Sequence, residues 1–156
     1  MTTRTTRRSG ATLVEAAMVL SLALLLLFGI FEYARYMFTL QIVENAAREG
    51  ARMAVAHTDN MTTAGITAGI LQRLADQNST MPNFNIDIHA IALRTRTDAN
   101  GTVTAGTLIP DWTQAAPTDG IVVTLTGDFV PILPSFLQMG ATIPVRCQSV
   151  MYSEGN

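Results

Sequence analysis

Lysine is absent from this 156-residue chain, whose ten basic residues are all arginine and are outnumbered by twelve acids. The resulting formal charge of −2 leaves no basic surface of the kind that nucleic-acid binding requires. A single cysteine, Cys147, excludes an internal disulfide, and its place in an apolar strand reads as a small buried residue rather than a reactive thiol. Histidine is almost as scarce. His57 and His89 stand far apart, and neither has metal-ligand spacing around it. There is no glycine-rich phosphate loop at a strand-helix junction, no serine-centred elbow and no HExxH. The sequence therefore predicts no enzyme, no cofactor and no metal site. The Asn-x-Thr/Ser patterns at Asn60, Asn78 and Asn100 follow from the abundance of Thr and Ser and receive no role.

What the chain does contain is a long apolar run. From Ala11 to Phe31, ATLVEAAMVLSLALLLLFGIF, 21 residues carry one charge, Glu15. A helix of that length spans roughly 31 Å at about 1.5 Å per residue, which matches a hydrocarbon core of about 30 Å. The run reads as a membrane helix. Ahead of it, MTTRTTRRSG holds Arg4, Arg7 and Arg8 and no acid, so the positive-inside tendency keeps the N-terminus in the cytoplasm and exports everything after Phe31. A cleaved secretory signal shares the basic start and the apolar run. The run is long for a signal core, however, and FGIFEYARYMFTLQ continues as helix where a small-residue cleavage site would be expected. An uncleaved signal anchor stays open. An unpaired carboxylate in lipid costs at least about a few kcal/mol, so Glu15 requires a reason.

Beyond the apolar run the helix continues. Glu32, Tyr33, Arg35 and Tyr36 form a polar and aromatic collar suited to a water interface, with Glu32 and Arg35 spaced to pair along the helix. Ile42, Val43, Ala46, Ala47, Gly50, Ala51, Ala54 and Val55 then recur at three- and four-residue spacing. This narrow stripe of small residues allows a second element, expected to be a sheet, to approach the axis closely. Glu44, Arg48, Glu49 and Arg52 fall outside it, and Glu44 with Arg48 makes an i,i+4 pair, so a solvated, self-paired face accounts for these charges. Thr58-Asp59-Asn60 should end the helix near His57, after about 46 residues and roughly 69 Å.

The remainder reads as one small domain. Thr62 or Thr63 could cap a second helix, AGITAGILQRLADQ, with Ile66, Ile70, Leu71 and Leu74 on one side and Asn78 as its stop. Phe84, Ile86, Ile88 and Ala90 alternate with Asn85, Asp87 and His89 as a half-buried strand. Asp98-Ala99-Asn100-Gly101 is a hairpin turn, after which Thr102 to Leu108 returns. Ile109 to Thr118 reads as a loop. Gly120 to Thr126 is the most apolar strand and is expected to be central, with Pro131 and Pro134 ending its pairing. Phe136, Leu137 and Met139 read as a loop covering core. In a last strand, Ala141 to Tyr152, Ile143, Val145, Cys147, Ser149 and Met151 share one face, and Arg146, Gln148, Val150 and Tyr152 share the other. The fold class is α+β: a long N-terminal helix packed on a small antiparallel sheet.

The boundary Ser9-Gly10-Ala11-Thr12-Leu13-Val14-Glu15 resembles a type IV prepilin processing site, in which a basic leader ends in glycine and glutamate is the fifth residue of the mature helix. Glycine before the scissile bond lets the backbone lie extended against a protease. The longer run GATLVEAAMVLSLALLLLFGIFEYARY, followed by Asn45-Ala46-Ala47-Arg48-Glu49-Gly50-Ala51-Arg52, resembles the TadE-like family of pseudopilin-like proteins of tight-adherence pilus systems. The likeness covers residues 8 to 55 closely and 119 to 154 more loosely. It implies a prepilin-type leader at 1–10, a transmembrane helix at 11–31, an exported helical continuation at 32–57 and an exported α+β domain at 58–156, on a pilin-like plan. It also implies cleavage between Gly10 and Ala11 by a membrane aspartic prepilin peptidase, which would move the side-chain balance to 7 minus 12, or −5. Glu15 becomes the subunit-assembly acid, and Glu32, Arg35, Arg48, Glu49, Gly50 and Arg52 become candidates for helix-packing or inter-subunit contacts. The partners implied are other pilin or pseudopilin subunits, the pilus assembly machinery, the peptidase and membrane lipid. The location implied is the bacterial cytoplasmic membrane, with possible entry into a surface pilus. At this length a minor or initiating subunit fits better than a short major pilin. From a different class, a signal-anchored exported binding module outside any filament remains the alternative.

Overall fold

Between Ser9 and Ala56 there is no proline to break a helix, and in the computed structural model these residues form one α-helix, α1, of 48 residues and about 72 Å. The structure describes residues 9–56, 62–98, 101–116, 119–134 and 140–152. The predicted helix end near His57 agrees to within a residue, while His57 and Thr58-Asp59-Asn60 lie outside the described residues. The two halves of α1 differ in their surroundings. The apolar stretch from Ala11 to Phe28 is exposed throughout, with none of it buried in the protein. From Glu32 onward one face is covered, with Val43, Ala46, Ala47, Ala51 and Ala54 buried as the small-residue stripe requires.

A second helix, α2 (Thr63–Leu74), begins where Thr62 places its hydroxyl oxygen 3.2 Å from the Gly65 backbone N–H, leaving one orphan donor of the first turn satisfied. It ends earlier than the expected stop at Asn78, because Ala75 and Asp76 both turn left-handed, at φ 47° and 65°. Asn78 falls instead in a short 3-10 turn, Gln77–Thr80. Leu71, expected on the apolar side, is exposed. Ile66, Ile70 and Leu74 repeat at four-residue spacing and form the buried ridge alone.

Six strands follow: β1 (Asn85–Ile91), β2 (Arg96–Asp98), β3 (Gly101–Val103), β4 (Leu108–Ile109), β5 (Gly120–Phe129) and β6 (Ile143–Tyr152). Four make an antiparallel sheet in the order β4-β1-β5-β6, which puts β5 centrally, as its unbroken apolar run implies. Ile88 lies opposite Val123, and Leu125 opposite Cys147. Strand β6 alternates as expected, with Val145 and Cys147 buried and Arg146, Gln148, Val150 and Tyr152 exposed. The hairpin differs from expectation. β2 and β3 pair as a separate ribbon, Asp98 opposite Gly101, with Ala99 and Asn100 outside the described residues. The return strand is cut by a turn at Gly106, at φ 86°, so only Leu108 and Ile109 join β1.

The segment read as a loop after Ile109 also contains a core residue. Trp112 opens a 3-10 turn, is 1% exposed, and donates its indole N–H to the Thr63 hydroxyl at 2.9 Å. A buried Trp needs such a partner, and this one fastens the start of α2 to the sheet edge. Pro131 follows β5 as expected, while Phe136, Leu137 and Met139 lie outside the described residues.

Glycine decides how closely the two helices meet. A Cβ at Gly50 would come within 2.6 Å of Ile70 Cδ1 on α2 and 3.4 Å of Val123 on β5. Reciprocally, a Cβ at Gly69 would lie 2.6 Å from Met53 Cε on α1. Each glycine receives a side chain from the other helix, so the approach at Gly50 belongs to α2 first and to the sheet second. Gly50→Leu should therefore lower stability by about 2–3 kcal/mol, the range for overpacking a filled core, with a matching drop in the thermal midpoint in detergent. A variant as stable as the parent would show that the two helices separate at little cost.

Candidate functional site

The residues singled out in the sequence occupy three levels along α1. At its foot, Gly10 and Ala11 lie exposed within the helix. Gly10 is thus helical rather than extended, because each added residue of an established helix gains a hydrogen bond, and a cleavage-competent extended form has to be drawn from this end. A Cβ at Gly10 would meet nothing within 4 Å. One to two turns on, Glu15 is exposed on the bare half of the helix, and among the described residues no hydrogen bond or ion pair reaches it.

The middle level is the collar. Glu32 is only 3% exposed, and its Oε1 accepts from Arg35 Nη2 at 2.8 Å and from the Ile132 backbone N–H at 3.0 Å. The Arg35 guanidinium also donates to the Val130 carbonyl and stacks 4.4 Å above the Phe129 ring, which meets Tyr36 edge-on. The predicted i,i+3 pair exists, and it also holds the chain leaving β5. That second task had no signal in the sequence, since Glu32 and Ile132 are 100 residues apart.

The upper level is the charged face. Glu44 pairs with Arg48, and Glu49 takes Arg52 in a two-point contact, Oε1–Nη2 at 2.8 Å and Oε2–Nε at 3.0 Å. Glu49 Oε1 also accepts from Arg73 Nη2 at 3.2 Å. Arg73, on α2, was missed by sequence reasoning: the spacing showed which residues lie on one helix face but not which second helix would lie beside it. The residues Asn45, Arg48, Glu49, Arg52, Arg73 and Met151 line a shallow groove of about 320 Å³ here. The Arg52 hydrogen bond, followed by the Arg52 and Arg73 charges, holds the Glu49 carboxyl below its ordinary value, and the same contact raises Arg52.

Two further titratable groups among the described residues stand apart from these levels. Burial, followed by the Glu44 charge, pushes the Cys147 thiol up, which lowers its thiolate fraction and its nucleophilicity. His89 Nδ1 lies 2.9 Å from Asp87 Oδ2 on the same strand face. Among the described residues no group of three or more His, Cys, Asp or Glu could hold a metal ion.

A depressed carboxylate stabilises the fold above its unfolded pKa and loses that contribution as pH falls through the folded value. The stability difference between the parent and Glu49→Gln should accordingly favour the parent at neutral pH and vanish well below 4.5, the ordinary value for this carboxyl. Urea titrations of both proteins in detergent across that range check it, and a difference that persists at low pH would assign the effect to packing rather than charge.

Comparison with known proteins finds a likeness over nearly the whole of this helix. The family described as TadE-like protein matches residues 10–52, and no curated protein and no solved structure matches the chain. From the glycine at the foot of α1 to the Glu49–Arg52 pair, the sequence is similar to the TadE-like family, the resemblance that its boundary motif and its Ala46-Ala47-Arg48-Glu49-Gly50-Ala51-Arg52 stretch suggested.

Proposed function

We propose that the protein is a single-pass, pilin-like minor subunit that takes part in assembling a tight-adherence pilus. Its leader, residues 1–10, is removed after Gly10 by a membrane prepilin peptidase. The N-terminus faces the cytoplasm, and the domain built on the upper half of α1 is exported. The role is structural and not catalytic. The observation that carries this reading is the form of α1: a single helix whose lower half is bare and apolar and whose upper half is the spine of a small sheet domain. The TadE-like match begins at Gly10, and that family points to a protein associated with such a pilus.

In this reading cleavage frees the α-amino group of Ala11, ordinarily protonated below about pH 7.7 to 8, about one helical turn from Glu15. Glutamate near a helix N-terminus gains about 0.3–1 kcal/mol from the dipole, too little to account for an acid in the span. A neighbouring subunit offset along the axis would supply the missing cation.

Coexpression with a matching peptidase should yield a mature chain that begins at Ala11 by intact mass. A chain that keeps its leader under those conditions would favour the signal-anchored binding module. Glu15→Leu should still insert and be cleaved, yet crosslink to coexpressed pilins far less than the parent. Normal crosslinking by a processed Glu15→Leu protein would remove the assembly role from this residue.

A further inference from the structure

We propose that the connection leaving β5, at Val130 to Ile132, is a second membrane contact that seats on the lipid interface beside α1. This rests on the reading of Ala11–Phe31 as a membrane span. The depth of the connection follows from what it touches on the helix. Val123 is the β5 neighbour of Gly50, Phe129 meets Tyr36 with ring centroids 5.4 Å apart, the Val130 carbonyl takes Arg35, and the Ile132 N–H takes Glu32. Successive residues of β5 thus meet successively lower turns of α1. From Gly50 to Tyr36 the helix descends about 21 Å, and the six residues of β5 from Val123 to Phe129 cover about 20 Å, so strand and helix keep pace, and the Ile132 N–H bond to Glu32 carries the connection one turn lower. Glu32 directly follows the apolar run. Ile132 therefore reaches the level at which a bilayer that accommodates Ala11–Phe31 has its interface.

The chemistry of the tip suits that place. Phe129-Val130-Pro131-Ile132-Leu133-Pro134 carries no charge and no polar side chain. Ile132 is 60% exposed and Val130 39%, with Phe31 and Tyr33 of α1 exposed at the same height. Such a connection in water is usually polar. The backbone is prepared for partial loss of water as well: Arg35 satisfies the Val130 carbonyl, Pro131 has no N–H, and Glu32 satisfies the Ile132 N–H. The nearest acid along β5, Asp128, accepts from the Asn83 amide at 2.7 Å. These groups leave the tip apolar outside and without a backbone donor to desolvate at Pro131 or Ile132, which fits a lipid surface better than bulk water.

The test uses the full chain with Cys147→Ser, reconstituted in phosphatidylcholine vesicles. An environment-sensitive fluorophore is placed at Ile132→Cys, with Val130→Cys as a second site, Leu26→Cys as the in-span reference and Thr113→Cys as the distal one. Phosphatidylcholine spin-labelled near the headgroup should quench the Ile132 and Val130 probes several-fold more than the Thr113 probe, while chain-end spin labels quench Leu26 most. If Leu26 is quenched but Ile132 is as open to aqueous iodide as Thr113, the inference fails and the span stands. An Ile132 probe shielded from both iodide and lipid labels would indicate a protein neighbour and overturn it. Failure to quench Leu26 would remove the span and this contact together.

Discussion

One backbone hydrogen-bond ladder, running from Ser9 to Ala56, has to satisfy two different surroundings, and the rest of the fold is arranged by where they change. Below Glu32 the helix keeps its apolar side chains uncovered, which is stable only if something outside the chain covers them. Above Glu32 the domain covers one stripe, using alanine, valine and glycine. Small residues bury little area each, so they stabilise by letting Ile70, Leu74, Val123 and Leu125 approach the axis rather than by their own bulk. The glycine-for-side-chain exchange at Gly50 and Gly69 is the closest expression of this. It accepts about 1 kcal/mol of helix propensity per glycine in return for contact between two helix axes.

How much of this was legible follows the range of the interactions. Periodicity identified α1, α2, β1, β5 and β6, because each reports which side of one element is buried. It gave Val145 and Cys147 on the inner face of β6 and the pairing of Glu44 with Arg48. What it missed involves two elements at once. Leu71 has the right character for the α2 ridge but sits off the line of Ile66, Ile70 and Leu74. Trp112 looked like a loop residue because the donor site that buries it, Thr63, is 49 positions away. By helix propensity alone Gly65 and Gly69 weaken α2, whereas Gly69 is where Met53 of α1 fits.

The charged face shows the same division. An i,i+3 spacing is enough to pair Glu49 with Arg52, and on a solvent-facing helix surface such a pair adds little by itself. Arg73 joins from α2 and turns a local pair into a contact between helices. This leaves Glu44, Arg48, Glu49 and Arg52 paired within the chain, and Glu49 ties α2 to α1 through Arg73. A subunit partner that used the same face would have to exchange these ion pairs for its own.

Glu15 and Glu32 give the sharpest contrast on α1. Both are single acids in apolar surroundings, separated by about 26 Å of helix. Glu32 has everything a buried carboxylate needs: a guanidinium at 2.8 Å, a backbone N–H at 3.0 Å and a cover of side chains. The chain folds back 100 residues later to complete that arrangement. For Glu15 the described residues provide none of it, and it lies exposed on the bare half of the helix. A carboxylate in hydrocarbon costs a few kcal/mol at least, several times what a helix dipole returns. In the reading proposed above, the cation that balances Glu15 is an α-amino group freed at Ala11, its own or that of a neighbouring subunit.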